Sequence, residues 1–424
     1  MIEIPYTRHR LENGLEVVLS RDPNAPVVAV NLWYRVGSRD ERPGRTGFAH
    51  LFEHMMFQGS EHVPETAHFA HIEKAGGSLN GSTWLDRTNY YETLPANYLE
   101  LGLWLESDRL GFLLPAMTQD KLDNQRDVVK NERRWRVDNQ PYGDWDERLQ
   151  EMVYPPDHPY HHSVIGSMED LDAASLDDVE TFFSTYYRPR NAVLTLCGEF
   201  DPERALDLVD RWFGAIPAGD PIPAIPGRTD IPTVLEAPVR AVIEQDISLP
   251  RVYRAFRIPA YGDDAWYPAG VAAHVLGDGQ ASRLTRRLVR ERRLAQDVVA
   301  HAFPIVVGAA MLVVWATARP GVDVDALDRA LEEEIAALTE VGDDEVTRAV
   351  RLIEAQQLHE LQKVDERADQ LSMFTCLFDD PGRINTEIDR VRAVTAADVR
   401  GTAEAHLAPD HAATLVYMPK GGTA

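Results

Sequence analysis

Residues 47–57 read Gly-Phe-Ala-His-Leu-Phe-Glu-His-Met-Met-Phe. Neither proline nor glycine interrupts residues 48–57, and the residue types favour a helix. At 3.6 residues per turn, His50 and His54 lie one above the other, with Glu53 beside them. Two stacked imidazoles suit a tetrahedral zinc ion, and the carboxylate suits a general base. The order His-x-x-Glu-His therefore predicts a metal site, although it leaves open a helix whose histidines are solvated or bonded to carbonyls.

Length and composition limit the classes of protein to which the chain can belong. Its 424 residues exceed what one hydrophobic core ordinarily serves, so we expect two domains. The formal net charge of −25 argues against nucleic acid or an anionic membrane as partner, because both attract a surplus of Lys and Arg. A peptide is a more suitable ligand. Cys197 and Cys376 lie in apolar stretches, where two buried thiols are expected rather than a disulfide or a metal site.

The N-terminus and the apolar stretches indicate where in the cell the protein is located. Residues 1–8 lack a basic segment followed by an apolar run, so no signal peptide is recognisable. The longest apolar stretch, residues 305–318, is shorter than a membrane span and has the pattern of a strand. We therefore expect a cytoplasmic protein.

Strand and helix patterns follow one another in the same order in the two halves of the chain. Strand patterns occur at residues 7–21, 27–36, 78–94, 192–197, 239–248, 251–258, 297–305, 309–319 and 413–418, with helical patterns between them. Six prolines fall within residues 217–238 and indicate a linker. We predict an α+β protein of two similar halves, each a mainly antiparallel sheet packed with helices. Residues 1–216 form the zinc-bearing catalytic half, 217–237 the Pro-rich linker and 238–424 the second half.

A third metal ligand is required, and Glu132 is the leading candidate. It lies in a separate helical pattern, residues 119–138, in which Val128 and Val129 would bury part of the helix. A carboxylate on a second helix is a common third ligand in zinc peptidases. Spacing alone also allows Glu132 to pair with a neighbouring arginine.

Several motifs together resemble a known family. They are His50-x-x-Glu53-His54, Gly76-Gly77-x-x-Asn80, Thr88-x-Tyr90-Tyr91 and Arg126-Asp127-Val128-Val129-x-x-Glu132. In this order they resemble the pitrilysin-type inverzincin metallopeptidases, which include insulin-degrading enzyme and the mitochondrial processing peptidase. The resemblance covers most of the first half of the chain and is looser in the second.

The resemblance implies a zinc metalloendopeptidase that hydrolyses peptides or unfolded segments. His50, His54 and Glu132 would bind one zinc ion per chain, and Glu53 would act as general base on a water activated by the zinc. Similar enzymes bind the substrate as an added strand at a sheet edge. By position, this edge would be carried by three consecutive residues, Asn80, Gly81 and Ser82, although the family usually has alanine at position 81.

Two departures from the family pattern bear on activity. Gln125 replaces a usual glutamate on the face of Glu132, so it would support the ligands without adding negative charge. Arg290 matches a family arginine that holds substrate, but the tyrosine expected two turns later falls on Gln296. We therefore expect a heterodimer with a homologous subunit lacking zinc, which would supply the Arg/Tyr pair. A homodimer is the other arrangement.

The same residues are compatible with other functions. The chain could be a non-catalytic scaffold or assembly subunit with the same fold, or its metal could be structural. A second metal site at His158, His161 and His162 is weighed against a solvated loop. His68 and His71 lack a nearby base and are expected at the surface. The basic segment, residues 283–293, is expected to face acidic side chains or a partner.

Overall fold

The computed structural model describes residues 3–421. The strands are β1 Thr7–Arg10, β2 Glu16–Arg21, β3 Val27–Tyr34, β4 Ser78–Thr83, β5 Thr88–Pro95, β6 Ala192–Gly198, β7 Val239–Gln245, β8 Arg251–Pro259, β9 Ala295–Ala302, β10 Ala309–Ala318 and β11 Ala413–Pro419. The α-helices are α1 Phe48–Met55, α2 Ala67–Lys74, α3 Leu99–Phe112, α4 Gln119–Arg133, α5 Trp145–Val153, α6 Met168–Asp172, α7 Leu176–Tyr186, α8 Pro202–Phe213, α9 Trp266–Gly277, α10 Val324–Ala336, α11 Asp343–Glu360, α12 Val364–Phe378, α13 Glu387–Arg392 and α14 Ala396–His406.

The strands form two sheets. The first has the order β1-β2-β6-β3-β5-β4, and the second has the order β7-β11-β8-β10-β9. In each sheet one neighbouring pair is parallel, β2 with β6 and β7 with β11, and the other pairs are antiparallel. The predicted α+β class, with two similar halves that each contain a mainly antiparallel sheet packed with helices, is confirmed.

The two compact units are not two continuous stretches of chain. Unit 1 contains the first sheet and is formed by residues up to Arg133, by His162–Pro226 and by Leu358–Thr386. Unit 2 contains the second sheet and is formed by Arg134–His161, Gly227–Gln357 and residues from Glu387 onward. The strands follow the predicted halves, but the two sheets exchange helices: α5 packs on β8 and β11, whereas α12 packs on β3 and β6.

The exchange of α12 follows from the alternation of side chains along β3. Val28, Val30 and Leu32 point into the main core of unit 1, where helices cover that face of the sheet. Ala29, on the opposite face, packs in a small cluster against Ala368 of α12. Because both faces of β3 carry apolar residues, the sheet needs a second helical layer, and α12 provides it.

Cys197 and Cys376 are buried free thiols, as expected. Within residues 3–421, no helix combines the length and the apolar character needed to cross a bilayer.

Candidate metal centre and active site

The start of α1 is held by a buried carboxylate. Glu41 accepts a hydrogen bond from the main-chain nitrogen of Gly47 at 2.9 Å and another from that of Ala49 at 2.7 Å. Gly47 has φ 84°, and a Cβ there would lie 2.6 Å from the carbonyl oxygen of Ile165, so only glycine fits. A negative charge near a helix N-terminus also interacts favourably with the helix dipole. The beginning of the helix that carries the paired histidines is therefore well defined.

His50 and His54 occupy consecutive turns of α1, as the spacing predicts. Their ring centroids are 4.9 Å apart and the rings are nearly perpendicular, at 87°. Both side chains are largely buried, whereas Phe52 and Met55 on the other face of α1 belong to the core. The amphipathic character of α1 thus turns both imidazoles to the same side.

Glu132 joins the two histidines from α4, which packs against α1. Its Oε2 atom lies 3.3 Å from Nε2 of His54 and 3.7 Å from Nε2 of His50. The buried residues Leu122 and Val129 fix the face that α4 turns towards the core. One donor atom from each of the three side chains lies within 4.8 Å of the other two. Two imidazole nitrogens and one carboxylate oxygen are a donor set suited to zinc, and three protein ligands leave a coordination position open.

Glu53 is held by a hydroxyl group from the adjacent sheet. Thr83, the last residue of β4, donates a hydrogen bond from Oγ1 to Oε2 of Glu53 at 2.6 Å. Burial raises the pKa of Glu53, although the bond from Thr83 and the charges of His54 and Arg87 oppose that shift. A raised carboxyl pKa suits a group that accepts and returns a proton near neutral pH.

The predicted substrate-binding residues lie on β4, which is an edge strand of the first sheet. Asn80, Gly81 and Ser82 pair with Tyr91, Tyr90 and Asn89 of β5. Gly81 is buried, and a Cβ there would lie 3.1 Å from ring atoms of Phe57 and of Tyr90. The lack of a side chain at position 81 therefore matches the close packing of aromatic rings behind the strand.

Gln125 lies on the same face of α4 as Glu132 and is buried. The two positions are two helical turns apart, as expected from the spacing. The amide is uncharged, so the metal centre has no additional carboxylate at this position.

Within the described residues, the histidines at positions 158, 161 and 162 do not form a second metal site, which was the less favoured interpretation of this segment. His162 Nε2 lies 2.9 Å from Oε2 of Glu41, whereas His158 Nδ1 accepts a hydrogen bond from the main-chain nitrogen of Tyr160. His161 Nδ1 lies 2.7 Å from the carbonyl oxygen of Tyr154. Each ring therefore has its own structural partner.

His68 is buried, so the expectation of a surface position is wrong. It lies with Glu92 and Glu106 in a cluster that is fully enclosed, because α2 and α3 pack together over this side chain. Burial lowers the pKa of His68, which favours the neutral imidazole, and the neighbouring Arg109 guanidinium acts in the same direction. Arg109 is paired with Glu106, so a cation already balances one of the two carboxylates.

Arginines of the basic segment, residues 283–293, pair with acidic side chains, which confirms one of the two expectations for this segment. Arg283 pairs with Glu345, and Arg292 pairs with Glu333 at 2.8 Å. Arg290 donates a hydrogen bond to Gln280, and residues Thr285–Glu291 form a π-helical turn instead of a regular helix.

Two interactions that define the site had no clear signal in the sequence. The Thr83–Glu53 bond joins residues 30 positions apart, and the Glu41–His162 contact joins residues 121 positions apart. A buried acid just before the start of α1 is the one feature of the sequence that could have pointed to Glu41.

The fold and the site together define a two-half α+β protein of the metallopeptidase kind. The chain belongs to peptidase family M16: the family model described as "Insulinase (Peptidase family M16)" matches residues 16–155, and the model described as "Peptidase M16 inactive domain" matches residues 173–353.

Relatives of known name agree with this assignment. The zinc protease PqqE of Helicobacter pylori is 31% identical over 365 residues, which are 85% of this chain and 78% of that protein. The uncharacterized zinc protease YmxG of Bacillus subtilis is 22% identical, with 98% of each chain covered. The crystal structure of a protease from Helicobacter pylori superposes with a TM-score of 0.92 at 25% identity, over 99% of this chain and 100% of that one.

Proposed function

We propose that this chain is the zinc-bearing subunit of an endopeptidase that hydrolyses peptides or unfolded segments. The observation that carries the proposal is the convergence of His50, His54 and Glu132, with the donor distances of 3.3 and 3.7 Å, beside the carboxylate of Glu53. The names of the relatives, zinc proteases, support the choice of metal and of reaction.

The residues of the centre suit zinc in type and number. His50, His54 and Glu132 would hold the ion, and the fourth position would stay open. A bound zinc ion supplies Lewis-acid activation of water and of the scissile carbonyl.

Glu53 acts as the general base. It accepts a proton from the attacking water and returns that proton to the leaving nitrogen as the peptide bond breaks. The hydroxyl of Thr83 holds one carboxylate oxygen, Oε2, and the other oxygen would accept the proton from the water. Burial raises the pKa of Glu53, so its carboxylate binds and releases a proton more readily near neutral pH.

The edge of β4 receives the substrate as an additional antiparallel or parallel strand. Main-chain groups of Asn80, Gly81 and Ser82 hydrogen-bond to an extended peptide, which binds without demanding a particular sequence. Since Thr83 of the same strand contacts Glu53, a peptide on this edge is aligned with the general base.

A homologous subunit completes the site. Gln296 stands where the family has a tyrosine, so this chain has only Arg290 of the Arg/Tyr pair. The periplasmic protease PqqL of Escherichia coli is similar in fold, and this chain spans 48% of that one, at 17% identity and a TM-score of 0.76. One PqqL-length chain thus corresponds to two chains of this length, which supports the pairing of two such chains. A heterodimer is favoured because a homodimer would lack the tyrosine in both sites.

A second candidate function is a non-catalytic scaffold or assembly subunit. The missing tyrosine favours it. The match of residues 173–353 to a family model described as inactive is compatible with either function. The scaffold function predicts that metal binding and peptide cleavage are both dispensable.

The test compares the wild-type chain with Glu53→Gln, alone and together with a homologous subunit encoded nearby. We expect Glu53→Gln to retain zinc, measured by elemental analysis, and to lose cleavage of an unfolded peptide. Glu65→Gln, at an exposed acid shortly after α1, is the matched control and should cleave as the wild type does. Cleavage that persists in Glu53→Gln would refute its role as base, and a wild-type pair that neither binds zinc nor cleaves would favour the scaffold.

A further inference from the structure

Unit 1 contains a wide cavity of about 820 Å³ to which no residue of the metal centre contributes. Its charged lining consists of five arginines and three acids: Arg8, Arg10, Arg35, Arg39, Arg190, Glu16, Asp40 and Asp379. The cavity therefore has a surplus of two positive charges in a chain with a net charge of −25, and such a local surplus attracts anions.

Three of the five arginines have carboxylate partners. Glu16 lies between two of them, 2.9 Å from Nε of Arg8 and 3.0 Å from Nε of Arg10. Arg39 pairs with Asp86 at 2.7 Å, behind the wall of the cavity. These pairs stabilise the wall and reduce the charge that it presents.

The surplus charge belongs to Arg35 and Arg190. Among residues 3–421, neither guanidinium forms an ion pair. Arg35 is half-buried and donates from Nε to the carbonyl oxygen of Cys376 at 3.0 Å, at the C-terminal end of α12. The main-chain nitrogen of Arg35 also donates to the carbonyl oxygen of Asn191 at 3.0 Å, which keeps Arg35 next to the exposed Arg190. One cation is therefore fixed in place, and the other is free to close on a ligand.

The rest of the lining is largely apolar. The Pro-rich segment contributes Pro221, Ile222, Pro223 and Ile225, and α12 contributes Phe378 at its end. A cavity of this size can hold a molecule as large as a nucleotide. A lining that combines cations with apolar side chains suits a ligand that has an anionic and an apolar part.

We propose that this arginine cavity binds a small organic phosphate. Guanidinium groups bind phosphate oxygens in pairs of parallel hydrogen bonds, which a planar, permanently charged group makes better than an ammonium does. The apolar side chains of the lining then contact the organic part of the ligand. This binding requires neither zinc nor a partner subunit, so it stands or falls separately from the proposed peptidase function.

The test is calorimetric titration of the full chain at low ionic strength with AMP, adenosine and inorganic phosphate. We expect AMP to bind saturably, inorganic phosphate to bind more weakly and adenosine not to bind. Arg190→Gln should weaken AMP binding by about tenfold, the usual loss for one charged contact to phosphate. Arg204→Gln, at an exposed arginine of α8 outside the cavity, is the matched control and should bind AMP as the wild type does.

Several outcomes would overturn the proposal. They are the absence of saturable AMP binding, an unchanged affinity in Arg190→Gln, equal binding of adenosine, and equal binding of inorganic phosphate. Arg190 is exposed and unpaired, so its substitution leaves the fold intact, and a melting curve of the variant verifies this. Arg35→Gln should weaken AMP binding as well, with a lower melting temperature because its bonds to α12 are lost.

Discussion

His162 Nε2 lies 2.9 Å from Oε2 of Glu41, and this contact ties the loop after α5 to the N-terminus of α1. The same carboxylate accepts hydrogen bonds from the main-chain nitrogens of Gly47 and Ala49, so one buried acid serves both the loop and the helix. The helix that carries His50 and His54 is therefore positioned by residues that would touch neither zinc nor substrate.

Replacing Glu41 by Gln should destabilise the protein. Below the raised pKa of His162, the substitution breaks a largely buried charge pair and leaves the imidazolium without its counter-ion, which costs roughly 3 kcal/mol in the free energy of unfolding. Urea denaturation followed by circular dichroism measures this loss. Glu180→Gln, at an exposed acid of α7, is the control and should unfold as the wild type does. An unchanged midpoint in Glu41→Gln would mean that the pair contributes nothing.

The stability contributed by His162 should depend on pH. Burial opposes protonation of this imidazole, but the hydrogen bond and the charge of Glu41 outweigh it and raise the pKa of His162. A raised pKa in the folded state means that the contribution is fully present below the unfolded value of about 6.5 and is lost as pH rises through the folded value. The difference in free energy of unfolding between wild type and His162→Gln should therefore be largest at mildly acidic pH and shrink on the alkaline side. A constant difference across this range would show that the imidazole does not titrate with folding.

Thr83→Val should impair catalysis while leaving metal content unchanged. The substitution keeps the shape of the side chain but removes the bond that lowers the pKa of Glu53, so the pKa of Glu53 rises further. We expect kcat/KM near neutral pH to fall about tenfold and the acidic limb of its pH profile to move to higher pH. Thr83→Ser retains the hydroxyl and should restore both. An unshifted acidic limb in Thr83→Val would indicate that the hydroxyl does not act through Glu53.

Glu132→Gln should lose zinc. The amide oxygen is a poor ligand, and only the two histidines would remain, which is too few for a stable site. Elemental analysis after dialysis against a weak chelator measures the retained metal. Asp127→Asn, at an exposed acid of the same helix, removes the same charge and should retain zinc. Full retention by Glu132→Gln would mean that another residue provides the third ligand.

Gln125→Glu should tighten metal binding. The new carboxylate would lie on the buried face of α4 that also carries Glu132, and added negative charge beside the ligands favours a divalent cation. We expect the zinc affinity, measured by competition with a fluorescent chelator, to rise about tenfold. Asn124→Asp adds the same charge at an exposed position of α4 and should change the affinity little. Equal affinities of the two variants would show that position 125 has no particular influence on the metal.

Local residue patterns predicted some structural features correctly and could not predict others. The apolar run of β3, rich in β-branched residues, predicted its strand, and the repeat of 3.6 residues placed His50 and His54 on one face of α1. The surface position expected for His68 was wrong, because its helix does not reveal that α3 packs over that side. Likewise, a pattern of residues cannot show that α12 covers the first sheet, since the helix lies far along the chain from the strands it contacts.

The sequence by itself determined the two imidazoles, their neighbouring carboxylate and the α+β class, because helix and strand periodicities depend on residues close together in the chain. Only the tertiary structure decided that Glu132 reaches both histidines, that Thr83 holds Glu53 and that Glu41 joins α1 to His162. These contacts depend on how buried faces of separate elements fit against one another. That fit is decided by packing across the whole core, which no short stretch of residues encodes.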